Sequence, residues 1–255
     1  RMNVIIGSEI TNLSLAGFYW EKQVNSQLAF QTGLNLIHCS NGHYTLPNLG
    51  LNLPLIFGAV SYRPDGKIKT HLPDNGLPEP VAGGKVHLRV GYGKHELGRA
   101  TTITAEKKYD VYTATLTYSR FFWKGGRYHV GFTGKYYQDW YEKIRELDYY
   151  EEQIKLKSSA FTFILGHEFL FNRWSLYTHG GLNLYNPFYE QYTKLNYKGM
   201  NIHRYIKKYI SGKLGVQYYV KSPYTHKGLN AYLGLFIKSN FTQADFVELA
   251  MGLLL

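Results

Sequence analysis

No stretch of the 255-residue chain strings together the roughly 18 apolar residues that a membrane-crossing helix requires, and mean hydropathy is −0.31. A transmembrane helix is thereby excluded. A membrane β-barrel is not, because its strands alternate apolar and polar residues and average to an ordinary hydropathy. Cysteine occurs once, at Cys39, which rules out a disulfide within the chain. Methionine is scarce as well, with 3 residues, and helix is expected to be a minor component. Basic residues never gather in blocks of about five or more, and no zinc-finger, helix-turn-helix or RNA-binding motif occurs, so nucleic acid is not expected as a partner. A phosphate loop, a nucleotide fingerprint and a CxxC pair are missing, and His87, His129 and His179 stand in no metal-ligand spacing. No cofactor and no metal are therefore expected. The start carries no signal peptide, which reads as a mature chain or as a fragment with an arbitrary first residue.

Aromatic residues and glycine are plentiful instead: 24 Tyr, 14 Phe, 4 Trp and 26 Gly, a composition that suits aromatic-rich strands separated by glycine turns. Lys and Arg total 29 against 18 Asp and Glu, giving +11 and an isoelectric point near 9.4. The surroundings or the ligand are then expected to be anionic, and a phosphorylated lipid surface suits charge spread this evenly.

Period-two alternation recurs along the chain. Leu28, Phe30, Leu34 and Leu36 share a face opposite Ala29, Gln31, Gly33 and Asn35; Val86, Leu88, Val90 and Tyr92 oppose His87, Arg89, Gly91 and Gly93. The same holds for Phe161, Phe163, Leu165 and Phe169, for Ile210, Leu214, Val216 and Tyr218, and for Val247, Leu249, Met251, Leu253 and Leu255. Candidate strands fall near 3–20, 27–41, 52–64, 84–98, 110–123, 128–142, 157–172, 174–189, 205–221, 228–239 and 245–255. Most exceed the roughly 9–11 residues of a tilted membrane strand, whereas strands of a soluble sandwich average about five or six. Aromatic clusters at strand ends (Phe18-Tyr19-Trp20, Phe121-Phe122-Trp123, Tyr136-Tyr137) fit interfacial girdles.

Turns at Lys124–Gly126, Asn172-Arg173 and Pro223–Gly228 are tight, while 41–51, 99–109, 143–156 and 190–204 are longer and polar; only 65–83 breaks the alternation. In bacterial barrels tight turns face the periplasm and long loops the exterior, which puts Arg1 outside. The expectation is an all-β chain, residues 1–255 forming a single antiparallel transmembrane β-barrel of about 12 or more strands, with N-terminal strands missing.

The most informative stretch is His38-Cys39-Ser40-Asn41-Gly42, followed by Pro47-Asn48-Leu49-Gly50-Leu51-Asn52. His38 and Ser40 lie two apart on a strand, so they project from one face with Cβ atoms roughly 7 Å apart, within reach of an imidazole–hydroxyl hydrogen bond. That face also carries Leu28, Phe30, Leu34 and Leu36 and is the lipid side of a membrane barrel. Two polar side chains there are costly unless they serve the interface. The Gly, Asn and Pro residues that follow can offer backbone N–H groups to an oxyanion.

Residues 38–42 with 47–50 resemble the active-site segment of the lipid A deacylases, the PagL or acyloxyacyl hydrolase-like outer-membrane barrels. The resemblance is strong over about residues 28–62. It is weaker over 229–255, where Lys238, Ala244, Asp245 and Glu248 are similar to the end of Bacteroidota members. It implies that His38 is the base and Ser40 the nucleophile, and that groups near Asn41, Gly42 and Asn48 form the oxyanion site. The family's Glu fourteen residues after the His falls here on Asn52, which instead resembles outer-membrane phospholipase A, where an Asn orients the His. That phospholipase binds calcium through an Arg and a Ser whose places are taken here by His43 and Asn48, so no metal is implied. Elsewhere, Lys238 and Glu248 are expected to form an ion pair inside the barrel, Glu168 is a remote carboxylate, and the histidines are structural.

The expected function is an esterase of the Gram-negative outer membrane, cutting ester-linked acyl chains of lipid A. The alternatives are an outer-membrane phospholipase A and a catalytically silent barrel, acting as a pore or in association with other outer-membrane proteins.

Overall fold

The computed structural model describes residues 11–41, 50–65, 78–80, 82–97, 107–196, 202–240 and 243–255. It is all-β apart from short helices in the loops, and divides into two compact units. Among the described residues no helix is long and apolar enough to cross a membrane.

The first unit is an antiparallel sheet of β1 (Asn12–Gln23), β2 (Leu28–Ser40) and β3 (Leu51–Tyr62), in that order. Asn25 closes the β1–β2 turn, its Oδ1 accepting the N–H groups of Gln27 (2.9 Å) and Leu28 (2.8 Å), an Asx turn that replaces backbone partners lost at the bend. β2 and β3 pair without a bulge from Leu28↔Tyr62 to Cys39↔Leu51. Cross-strand partners share a face, so Phe18, Trp20, Phe30, Leu34, Leu36, Ile56 and Val60 form one apolar surface, and all of them are exposed.

The second unit is a closed barrel of β4 (Gly84–His95), β5 (Tyr109–Trp123), β6 (Gly126–Tyr137), β7 (Ser159–Phe171), β8 (Trp174–Tyr185), β9 (Ile210–Tyr219), β10 (Asn230–Asn240) and β11 (Gln243–Leu254). All its pairs are antiparallel; β11 closes on β4 through Leu254↔His87, and Val86 and Leu255 exchange backbone hydrogen bonds of 3.2 and 2.8 Å. Tight turns join β5 to β6 and β7 to β8, the latter with Asn172 at φ 60, a conformation its short polar side chain tolerates. The opposite end holds the long connections, with α1 (Gln138–Leu147) and α2 (Ile154–Lys157) after β6, and α3 (Pro187–Asn196) and α4 (Ile202–Tyr209) after β8.

Two expectations are corrected here. The barrel has eight strands, not about 12 or more, and no missing strand is needed to close it, because β11 pairs with β4 within the chain. Residues 65–83 broke the loop alternation because they connect the two units. Leu28, Phe30, Leu34 and Leu36 accordingly lie on the three-stranded sheet, not on the closed barrel.

Alternation sorts the barrel's side chains cleanly. Leu88, Val90, Leu116, Phe132, Leu165, Leu214, Leu235, Leu249 and Met251 are exposed outside, whereas His87, Arg89, Thr115, Thr133, Glu168, Lys213, Gln217 and Glu248 are buried inside. The aromatic clusters split the same way: Phe122 and Trp123 are exposed near the tight turns while Phe121 packs inward, and Tyr137 is buried. An eight-stranded barrel is just wide enough for its side chains to fill, and these fill it in layers. Near the tight turns sit Leu170, Tyr219, Tyr224, Tyr232 and Leu254. Above them Glu168 accepts from Arg127 Nε (2.6 Å), Tyr219 (2.7 Å) and Gln217 (2.8 Å) and pairs with His129 (2.9 Å). The Arg89 guanidinium lies 4.8 and 4.6 Å from the ring centres of Tyr177 and Phe236, and Lys213 pairs with Glu248 at 2.6 Å. At the loop end Asp245 joins Lys238 (2.6 Å), Tyr137 (2.8 Å) and His95, under an aromatic cap in which Trp140 stacks on Tyr137 and Phe188. The expected Lys238–Glu248 pair is therefore corrected: each ion takes a different partner, because bringing β9 beside β10 places Lys213 next to Glu248.

Candidate functional site

His38, Ser40 and Asn52 come together at one end of the three-stranded sheet. His38 and Asn52 are fourteen residues apart in sequence and directly opposite in the β2–β3 register, which puts their side chains on the same face. The pleat adds Ser40 two positions on. His38 Nδ1–H donates to Asn52 Oδ1 at 2.8 Å, and Ser40 Oγ–H donates to His38 Nε2 at 3.0 Å. The Asn carbonyl thus selects the tautomer whose Nε2 lone pair faces the hydroxyl. This is the nucleophile, base and orienter relation of a hydrolytic triad, recognised by geometry and role and not by sequence position.

The three differ in exposure. Ser40 is buried (3% exposed), His38 is half-buried and Asn52 is exposed, so the hydroxyl is sheltered while the orienting amide meets the surroundings. Asn41 is also buried, directly after Ser40. Gly42, Asn48 and His43 lie outside the described residues. Of the expected oxyanion residues, only Asn41 is thereby placed beside the nucleophile.

One residue was not singled out from the sequence. Gly50 has φ +70, and a Cβ there would stand 3.3 Å from His38 Cε1 and 3.7 Å from Ser40 Cβ. It lets the backbone enter β3 tightly against the imidazole, which a side chain would obstruct. Its place between Leu49 and Leu51, just before an orienter, was the available signal.

The other polar residues named from sequence lie inside the closed barrel. Glu168 is held by Arg127, His129, Tyr219 and Gln217; His87 bonds Ser119 at 2.7 Å, and His179 bonds Tyr177 at 3.1 Å. All are engaged in filling the interior. No protein-family model matches the chain, and no curated protein matches it.

Proposed function

We propose that this chain is a serine-type carboxylic ester hydrolase of a Gram-negative outer membrane, acting on ester-linked acyl chains of lipid A. The observation that carries the reading is the continuous relay Ser40–His38–Asn52, with both links at hydrogen-bond distance; an Asn carbonyl accepting from Nδ1–H favours the tautomer a general base needs. Ser40 Oγ attacks the ester carbonyl as its proton passes to His38 Nε2. Collapse of the tetrahedral intermediate returns that proton to the departing alcohol oxygen and leaves an acyl-Ser40, which water, deprotonated by the same nitrogen, hydrolyses to a free fatty acid. Backbone N–H groups near Asn41, Gly42 and Asn48 are assigned to the oxyanion, ordinarily the largest electrostatic contribution to acyl transfer.

The membrane part of the reading is supported by the barrel's surface, where most outward positions are apolar while the charged and hydroxyl side chains such as Arg89, Thr115, Arg127, Glu168, Lys213 and Glu248 are buried inside, the arrangement of a barrel whose solvent is lipid. The chain's net charge of +11 suits phosphorylated headgroups. A glycerophospholipid substrate is the second reading, favoured by Asn52, which stands where a phospholipase carries Asn and a deacylase Glu. The filled interior of β4–β11 counts against a pore.

The test is direct. Purified protein is mixed with lipid A and, separately, with a diacyl phospholipid in detergent, and released fatty acid is measured by mass spectrometry. Ser40→Ala should abolish release while the chain stays folded, since a strand-end hydroxyl contributes little to the β1–β3 ladder held by backbone hydrogen bonds. Full activity in Ser40→Ala, or no release from either lipid by the unaltered protein, sinks the proposal.

A further inference from the structure

The helices of the long connections place their apolar residues in opposite ways. α1 buries Trp140 and Ile144 and α3 buries Phe188, all three in the cluster that caps the loop end of β4–β11. α4 does not. Its Ile202, Tyr205, Ile206 and Tyr209 fall at the i, i+3, i+4 and i+7 spacing of one helical stripe, yet Ile202 is 79% and Tyr205 52% exposed, and Ile206 and Tyr209 are only half-buried. The rings of Tyr205 and Tyr209 lie 4.8 Å apart. The other four residues of the helix are His203, Arg204, Lys207 and Lys208, and no acidic residue occurs between 202 and 209. An exposed apolar stripe in a helix whose remaining residues are all basic is the make-up of a segment that lies in a membrane–water interface.

The barrel holds α4 where such an interface falls. The helix packs against β8 and β9 and leads directly into β9, whose first residue, Ile210, is exposed on the outer face opposite Leu182 of β8. The apolar outer surface of these two strands thus continues along the chain into α4. Asn183 Nδ2–H donates to the Lys208 carbonyl at 2.9 Å, and Lys208 Nζ pairs with Glu190 of α3 at 3.3 Å. An eight-residue helix is not stable in isolation, and these tethers hold it in place. At the same end of the barrel Tyr92 and Tyr112 are exposed beside the Lys94–Asp110 ion pair (2.6 Å), and Tyr92 OH donates to Asp110 at 2.7 Å. Tyrosines and an ion pair at the strand ends mark the level at which hydrocarbon gives way to headgroups.

Building on the membrane reading above, we infer that α4 is an interfacial helix of the closed barrel that binds the phosphorylated headgroups of the surrounding leaflet, with Ile202 and Tyr205 entering the acyl boundary. The positive charge of residues 203–208 selects an anionic lipid surface over a neutral one. Continuity with the outer surface of β8 and β9 selects lipid over a soluble protein. The site is separate from His38, Ser40 and Asn52 and works without them.

The experiment attaches a nitroxide spin label at Ile202→Cys and, in separate chains, at Glu152→Cys and Leu249→Cys, each with Cys39→Ser. The full chain is reconstituted in vesicles of phosphatidylcholine, and in vesicles of phosphatidylcholine and phosphatidylglycerol in equal parts. Label depth is read from relaxation by oxygen against relaxation by a water-soluble nickel chelate. In the anionic vesicles the label at 202 should lie about 5–10 Å into the headgroup and acyl boundary. It should lie shallower in phosphatidylcholine alone, and shallower again in anionic vesicles when Arg204→Gln and Lys207→Gln are combined. Salt should have the same effect on the unsubstituted helix, since the screening length falls to about 3 Å at 1 M. The label at exposed Glu152 should stay in water and the label at Leu249 in hydrocarbon. With Leu249 in hydrocarbon, three results overturn the inference while the membrane reading stands: a label at 202 in water, equal depth in both vesicles, or shielding from both relaxants, which means that protein covers the helix. A label at Leu249 that sits in water refutes the membrane reading itself, and the inference falls with it.

Discussion

Asn52 is the position at which the candidate relay departs from a carboxylate triad, and its substitution has a magnitude that follows from the geometry. The side chain makes one neutral hydrogen bond to His38 Nδ1, 2.8 Å long, from an exposed position. A bond of that kind contributes about 0.5–1.5 kcal/mol net. At 1.36 kcal/mol per factor of ten, Asn52→Ala should lower kcat/KM by roughly 2- to 12-fold, because Ser40, His38 Nε2 and the oxyanion donors stay in place. Asn52→Asp keeps the side-chain length, so a carboxylate oxygen takes the position of Oδ1 and meets a ring that becomes cationic as Ser40 reacts. A hydrogen bond to a charged group contributes about 1.5–3 kcal/mol, which makes the expected result a gain of a few-fold to about tenfold. The assay is kcat/KM on a short-chain chromogenic ester in detergent, with acyl release from lipid A alongside. Folding is checked by the difference in gel migration between heated and unheated samples. If Asn52→Ala is as inactive as Ser40→Ala, the Asn does more than orient; if it is fully active, the bond to His38 has no part in the chemistry.

Leu249 lies mid-strand on β11 and is 62% exposed, so Leu249→Arg should cost about 2–4 kcal/mol of barrel stability if that surface meets the centre of a bilayer. Urea unfolding in lipid vesicles measures it, and a change within about 0.5 kcal/mol, usual for a water-exposed site, would contradict the membrane reading. Glu168→Ala leaves Arg127 buried without its carboxylate partner and should destabilise the barrel by about 3–5 kcal/mol, read as loss of heat-modifiable migration at a lower temperature. Unchanged migration would mean the interior rearranges freely. Gly50→Ala forces an L side chain into φ +70 and a Cβ to 3.3 Å from His38 Cε1, a strain of about 1–2 kcal/mol. Esterase activity should fall several-fold with β4–β11 unaffected, and wild-type activity would show that this approach to the imidazole is unimportant.

The strands themselves were legible in the sequence. Alternation located the eleven described strands, because a side chain's face depends only on its position in the pleat, but it placed their ends less well. The first was expected over 3–20 and is described over Asn12–Gln23, and the strands expected at 128–142, 174–189 and 205–221 take in residues that belong to α1, α3 and α4. The same local rule put His38 and Ser40 on one face, and the turn residues separated tight connections from long ones. It also separated apolar from polar faces, so that Leu249 on β11 was assigned to an apolar face and Glu168 on β7 to a polar one. Which strand pairs with which is a different kind of fact. The pairing of β11 with β4 joins segments more than 130 residues apart in sequence, and nothing in either strand's alternation names its partner. That pairing alone reduced an expected 12 or more strands to eight and left β1–β3 as a sheet of their own. The interior ion pairs followed it, with Lys213 reaching Glu248 only because β9 and β11 flank β10. The bond from Asn52 to His38 lies between these cases: a spacing of fourteen permits it, but only the β2–β3 register, held by twelve consecutive residue pairs, brings the amide to 2.8 Å from the ring.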